Sequence, residues 1–198
     1  MEQLLKLGTS TLCEASGQSN ISFTTKLRPA WPGARMAGPA WPVRCAPGDN
    51  LSIHHGLASA PEGSVLIVDG AGVETGYWGE VLTVQAQYAK LAGLVINGCV
   101  RDVDAMQARG FPVFARGISM VGTVKACAPS WGSTMNMLGV EVAPGDMIIA
   151  DTDGVVVLPK AHFDRTVEAA VAREEKEARF MERLAEGATT LELMGLSS

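Results

Sequence analysis

Glu80, Arg101 and Asp102 are the charges whose types and spacing suit chemistry: an acid, twenty intervening residues, then Arg-Asp. They bracket the stretch "EVLTVQAQYAKLAGLVINGCVRD", which is apolar between its ends. Two carboxylates and a guanidinium on one rim suit a hard divalent cation such as Mg²⁺ or Mn²⁺, which takes oxygen ligands and keeps several waters. Asp102 is the direct metal ligand on this reading. The backbone N–H groups of Gly79, Glu80, Val81 and Leu82 lie where a helix should begin, and a helix N-terminus favours an anion such as a substrate carboxylate. Plain capping is the competing reading, because an acid at a helix start is favourable without any ligand. Glu80 is equally open to a first-turn role, and "GYWG" to that of a tight packed turn.

Strands and turns must bring these charges together. "SVLIVDG" reads as a buried strand, and the glycine-rich "AGVETGYWGE" opens a helix with Val81, Leu82, Val84, Gln85, Tyr88 and Leu91 at helical spacing. "GLVIN" is a second apolar strand, "RDVDAMQARG" a short helix ended by Gly110, and "FPVFARG" a third strand. Alternation of this kind implies a parallel layer with helical crossovers. Loops leaving the carboxyl ends of adjacent parallel strands converge on one crevice, which puts Glu80 and Arg101-Asp102 on a common rim.

Upstream, five prolines between Arg28 and Asn50 forbid a long helix and predict extended strand and turn. Asp49 or Asn50 is placed to cap a short helix that ends before Pro61. Downstream, "NMLGVEVAPGDMIIADTDGVVVLP" has the turn chemistry of antiparallel strands. A long helix with a charged face follows from Ala161 to about Glu186. The fold class is α/β with mixed sheet layers and a long C-terminal helix, in one domain over residues 1–198.

Composition narrows the function. A net charge of −5, with no block of Lys and Arg, argues against a nucleic-acid partner. The first residues hold an acid and no long apolar run, which predicts a cytoplasmic protein without membrane attachment. Cys13, Cys45, Cys99 and Cys127 are too scattered for a zinc site and read as reduced structural thiols. The chain has neither a P-loop nor a dinucleotide fingerprint. His54 and His55 are neighbours, so on a helix they point apart, and each reads as solvated or packed. Asp151 and Asp153, in "DTDG", read as turn residues. "REEKEAR" reads as a solvated helix face, from which one glutamate is able to reach a neighbouring subunit.

The ordered set "GYWGEVLT", "VINGCVRDVDAM", "GFPVFARG" and "DTDGVVVLP" resembles the RraA-like family. Within that family it looks like the metal-dependent 4-hydroxy-4-methyl-2-oxoglutarate/4-carboxy-4-hydroxy-2-oxoadipate aldolases, in which an acid, twenty residues and Arg-Asp recur. The ribonuclease E inhibitor branch has glycine at the first of these positions. Here the acid is Glu80, one methylene longer than the usual aspartate, and Asn97 and Cys99 replace the commoner residues of the strand motif. The resemblance implies a swivelling β/β/α fold and trimers or hexamers with the active site between subunits. It also implies pyruvate-forming cleavage of a 2-oxo acid with Mg²⁺ or Mn²⁺, and oxaloacetate decarboxylation. Asp102 is then the metal ligand, Glu80 an outer-shell carboxylate and Arg101 the cation that stabilises the enolate. Asn50 and Lys125 are further polar site residues, and Glu177 or a neighbour is an acid lent by the adjacent subunit. The rival roles are a non-catalytic regulator that binds ribonuclease E and a related lyase acting on another 2-oxo acid.

Overall fold

The computed structural model describes residues 1–19, 21–23 and 27–196. The chain runs through α1 (Glu2–Ser16), β1 (Arg28–Pro29), β2 (Met36–Arg44), α2 (Leu51–Ser59), β3 (Val65–Asp69) and β4 (Gly76–Trp78). It continues with α3 (Glu80–Tyr88), β5 (Gly93–Val100), α4 (Val103–Ala108), β6 (Val113–Ile118), β7 (Ser130–Trp131), β8 (Met135–Met137) and β9 (Val140–Val142). β10 (Met147–Asp151), β11 (Gly154–Leu158), α5 (Phe163–Ala185) and α6 (Thr190–Met194) complete it.

β2, β3, β5 and β6 form a parallel layer, and β5 is buried along its whole length. A strand covered on both faces reads as a continuous apolar run, which is why "GLVIN" was legible. Successive residues of β3 face opposite ways: Leu66 and Val68 pack under α2 and α3, Val65 and Ile67 against the second β layer. β10 and β11 extend the sheet antiparallel beyond β2, and β1 closes on β6, giving a nearly closed mixed sheet. β8 and β9 form a separate antiparallel pair. The antiparallel character expected after residue 135 is therefore present.

β2 carries Pro39 and Pro42 although it lies inside the sheet. It changes partner between them: Pro39 is its last residue paired with β10 in this direction, and Ala40 is the first paired with β3. A missing N–H costs least where one ladder stops and another starts.

Sequence reasoning did not find α1, which bends at Gly8, where φ is 76°. There Thr9 donates from its N–H to Asp151 Oδ2 (2.8 Å) and from its hydroxyl to Asp151 Oδ1 (2.6 Å), so the second half of α1 is anchored by the β10–β11 turn. Asp151 also accepts from the Asp153 N–H at 3.0 Å, the turn role expected of it. α5 packs on α1 through a narrow apolar stripe in which Thr166 and Ala170 are buried, and its charged face stays in solvent.

Candidate metal and oxo-acid site

The site is built where β4 and β5 end side by side, with Trp78 paired to Val100. "GYW" is a strand, not merely a turn: Tyr77 and Trp78 are fully buried. The Tyr77 hydroxyl donates to the Gly70 carbonyl (2.9 Å) and accepts from the Gly48 N–H (2.6 Å). The Trp78 indole N–H donates to the Thr83 hydroxyl at 2.8 Å. These bonds fix the strand that delivers Gly79 to the start of α3, and Arg101 N–H donates to the Trp78 carbonyl at 2.9 Å, bringing the next strand's end alongside.

Asp102 caps a helix, but not its own. It is the N-cap residue of α4, yet its side chain makes no capping bond there. Its backbone is left-handed (φ 57°, ψ 40°), a conformation that aspartate tolerates better than most residues and that Ala71, Lys90 and Leu138 also adopt away from the cleft. The carboxylate turns instead to α3, where Oδ2 accepts the Glu80 N–H at 3.0 Å. Gly79 makes that approach possible, since a Cβ there would collide with Asp102 Oδ2. Arg101 Nε lies 3.8 Å from the same oxygen, and both side chains are about half exposed, at 49% and 45%. One first-turn N–H is thus taken by Asp102, while those of Val81 and Leu82 have no intrahelical acceptor, as at any helix start.

A cleft of about 260 Å³ opens beside this pair. That volume suits a small metabolite, since drug-sized ligands occupy about 300–1,000 Å³. Arg101, Asp102, Gly79, Val81, Leu82, Asn50 and Lys125 all line it. Glu80 does not: its Oε1 accepts from Arg109 Nη2 at 2.7 Å and Nε at 3.1 Å, so the backbone of Glu80 rather than its carboxylate meets Asp102. Glu177 is engaged within its own helix, with Oε1 at 2.8 Å from Arg173 Nε.

Asn50 donates through Nδ2 to the Tyr77 carbonyl (2.9 Å), which leaves its buried Oδ1 without a protein partner. His54, one turn further along α2, also lines the cleft, and its buried Nε2 is likewise unpartnered. Burial, then the charges of Lys125 and His55, push the His54 imidazole below the ordinary histidine range. His55 points elsewhere and stacks on Trp131 with ring centroids 4.7 Å apart. Sequence reasoning passed over His54, although its i, i+4 spacing from Asn50 was the available signal. None of the four cysteines lines the cleft; burial, with Asp49 and Asp69 adding to it, pushes the Cys45 thiol up to about 12, and burial raises Cys99.

Asp102 is the carboxylate that lines the cleft, and an oxygen donor of this kind matches a hard cation that keeps most of its waters and takes further ligands from substrate. Among the described residues no three His, Cys, Asp or Glu side chains form a metal-holding cluster.

Comparison with known proteins is consistent with this geometry. The sequence pattern of the family described as "RraA-like: Aldolase/RraA" matches residues 9–157. The chain belongs to the RraA-like family. Its relatives include a Halalkalibacterium halodurans protein named "Putative 4-hydroxy-4-methyl-2-oxoglutarate aldolase", 31% identical over 89% of this chain and 85% of that one. An uncharacterized protein from Pseudomonas syringae pv. tomato has the same fold, with a TM-score of 0.82 and 26% identity over 98% of this chain and 95% of the other. The RNA-processing inhibitor RraA from Thermus thermophilis superposes with a TM-score of 0.69 and 28% identity, covering 76% of this chain and 92% of its own. The mixed sheet with a long C-terminal helix is thus the RraA-like fold. Among the described residues, no helix is long and apolar enough to cross a membrane.

Proposed function

We propose that this RraA-like chain is a divalent-metal-dependent lyase that cleaves 4-hydroxy-2-oxo acids of the 4-hydroxy-4-methyl-2-oxoglutarate type to pyruvate, and that the same site decarboxylates oxaloacetate. The observation that carries the reading is the Asp102 carboxylate, turned away from α4 and held at the mouth of α3 beside Arg101.

Asp102 would hold the Mg²⁺ or Mn²⁺ ion, since its carboxylate lines the cleft. When bound, the ion supplies Lewis-acid polarisation of the 2-oxo group. The chain's own groups do the rest. Val81 and Leu82 N–H receive the carboxylate next to the 2-oxo carbon. His54, whose imidazole burial holds below the ordinary histidine range, is assigned as the base for the 4-hydroxyl proton, a role that requires its Nε2, buried in the cleft wall, to open to the substrate. The C3–C4 bond then breaks, its electron pair passes to the 2-oxo oxygen, and Arg101 offsets the negative charge that develops there. Return of a proton to C3 releases pyruvate. Lys125 supplies a cation for the second carboxylate of the substrate.

The reading includes a trimer or hexamer with the site between subunits. It is supported by exposed apolar side chains, Val81 in the cleft wall at 83% and Met120, two residues before the cleft-lining Gly122, at 89% exposure. Mn²⁺ binding in the presence of oxalate, followed by electron paramagnetic resonance, tests the metal assignment: wild type should bind and Asp102→Asn should not. Equal binding by both would overturn it, and metal-independent capture of ribonuclease E without turnover would favour a regulator instead.

A further inference from the structure

Asp49 lies outside the predicted site and does not line the cleft, yet its carboxylate ties two of the cleft's walls together. The residue is 3% exposed. Oδ1 accepts the Leu51 N–H at 2.8 Å, and Oδ2 accepts the N–H groups of Ala126 at 2.6 Å and Cys127 at 2.8 Å. Leu51 opens α2, which presents Asn50 and His54 to the cleft. Ala126 and Cys127 directly follow Lys125, which lines the cleft from a separate segment. The backbone reinforces the join, with Asn50 N–H donating to Val124 O (3.1 Å) and Val124 N–H to Gly48 O (3.0 Å). The Leu51 N–H first, then those of Ala126 and Cys127, hold the Asp49 carboxyl below the usual carboxylate range despite its burial. Bonds from N–H groups to an ionised acceptor are short and strong, and a buried carboxylate without them would be costly.

Lys125 has no such support of its own. It sits in an exposed segment, residues 121–127, that is neither helix nor extended sheet strand apart from an isolated bridge between Asp49 and Val124. A long flexible side chain on such a segment reaches one place only if its backbone is pinned, and the two amides after it are pinned by Asp49. We propose that Asp49 is a positioning residue that holds Lys125 in the wall of the cleft that Asp102 also lines, and so sets the affinity of the cleft for the second carboxylate of its substrate. This rests on the lyase reading for its kinetic consequence, but not for its structural one.

Asp49→Asn separates the two functions of the side chain. Its remaining oxygen still accepts from Leu51, as asparagine does at helix starts, whereas its NH₂ faces the Ala126 and Cys127 donors. Asp146 provides the comparison: it too is buried and accepts two backbone N–H groups, from Ala143 at 2.8 Å and Lys160 at 3.0 Å, but it touches no cleft residue.

The test uses hydrogen exchange by mass spectrometry and steady-state kinetics on the full chain. In Asp49→Asn, exchange of the peptide covering residues 122–128 should accelerate at least about tenfold, since the loss of even one bond to a charged acceptor is worth that factor or more. It should stay at the wild-type rate in Asp146→Asn. KM for 4-hydroxy-4-methyl-2-oxoglutarate should rise about tenfold with kcat little changed. Lys125→Met should do the same, and the double variant should be no worse than Lys125→Met alone, which a general loss of structure would not produce. Unchanged exchange, or additive losses in the double variant, would overturn the proposal. If wild type releases no pyruvate, the lyase reading fails, and the exchange result alone decides whether Asp49 positions the Lys125 segment.

Discussion

The Glu80 carboxylate is held by Arg109, with Oε1 2.7 Å from Nη2 and 3.1 Å from Nε, while the Glu80 N–H holds Asp102. The two halves of one residue therefore serve different partners. Because the N–H survives any substitution except proline, Glu80→Gln should cost less than tenfold in kcat/KM for pyruvate release, far less than Asp102→Asn. A loss equal to that of Asp102→Asn would mean that the carboxylate leaves Arg109 to act in the cleft. The pair is itself partly exposed, at 37% and 44%, so Arg109→Ala should lower stability by about 1 kcal/mol at most. That corresponds to a fall in Tm of about 2–4 °C, measurable by calorimetry.

Gly79→Ala should disable the site while the fold persists. The φ of Gly79 is −157°, extended backbone open to any residue, so the added methyl brings no left-handed strain. Its effect is the collision with Asp102 Oδ2, which must move from the Glu80 N–H. Displacement of a reacting group by about 1 Å costs on the order of 10²-fold. The expected outcome is a loss of that size in metal-dependent turnover with an unchanged far-ultraviolet circular dichroism spectrum. Full activity would show that Asp102 acts from another position.

His54 should make stability depend on pH. Burial first, then Lys125 and His55, lower its folded-state value beneath the ordinary histidine value of about 6.5. The unfolded chain therefore takes up this proton before the folded chain does as pH falls. Stability contributed by neutral His54 is complete above the ordinary value and is lost as pH drops from it toward the folded value. His54→Gln should flatten the decline in Tm between about pH 7 and pH 5, a range in which histidine is the titrating side chain. It should also remove the acid limb of the rate profile if the imidazole takes the substrate proton. Parallel Tm and rate profiles for the two proteins would contradict both roles.

Much of the fold was legible because it is local. β3, β5 and β6 are apolar runs, α3 and α4 start at glycine or Arg-Asp signals, and β10–β11 turns on "DTDG". Contacts between distant positions were not legible. α1 is broken by Gly8, and its anchor on Asp151 lies 142 positions away. The partner of Glu80 is 29 positions off, and two of the three donors to Asp49 are 77 and 78 positions away. Asp102 was readable as a candidate ligand, but the turn of its carboxylate from α4 to the Glu80 N–H, 22 positions away, was not. His54 was hidden by its neighbour, because the orientation of α2 follows from burial of Ile53 and Leu57 rather than from the histidines.

The central claim is metal-dependent formation of pyruvate at Asp102. Pyruvate release coupled to lactate dehydrogenase, from 4-hydroxy-4-methyl-2-oxoglutarate and separately from oxaloacetate, tests it with Mg²⁺ or Mn²⁺ and with EDTA, in wild type and in Asp102→Asn. The account predicts release from both substrates in wild type with metal, and a fall to the EDTA level in the variant. Release that survives EDTA, or an Asp102→Asn variant that keeps the wild-type rate, would contradict it.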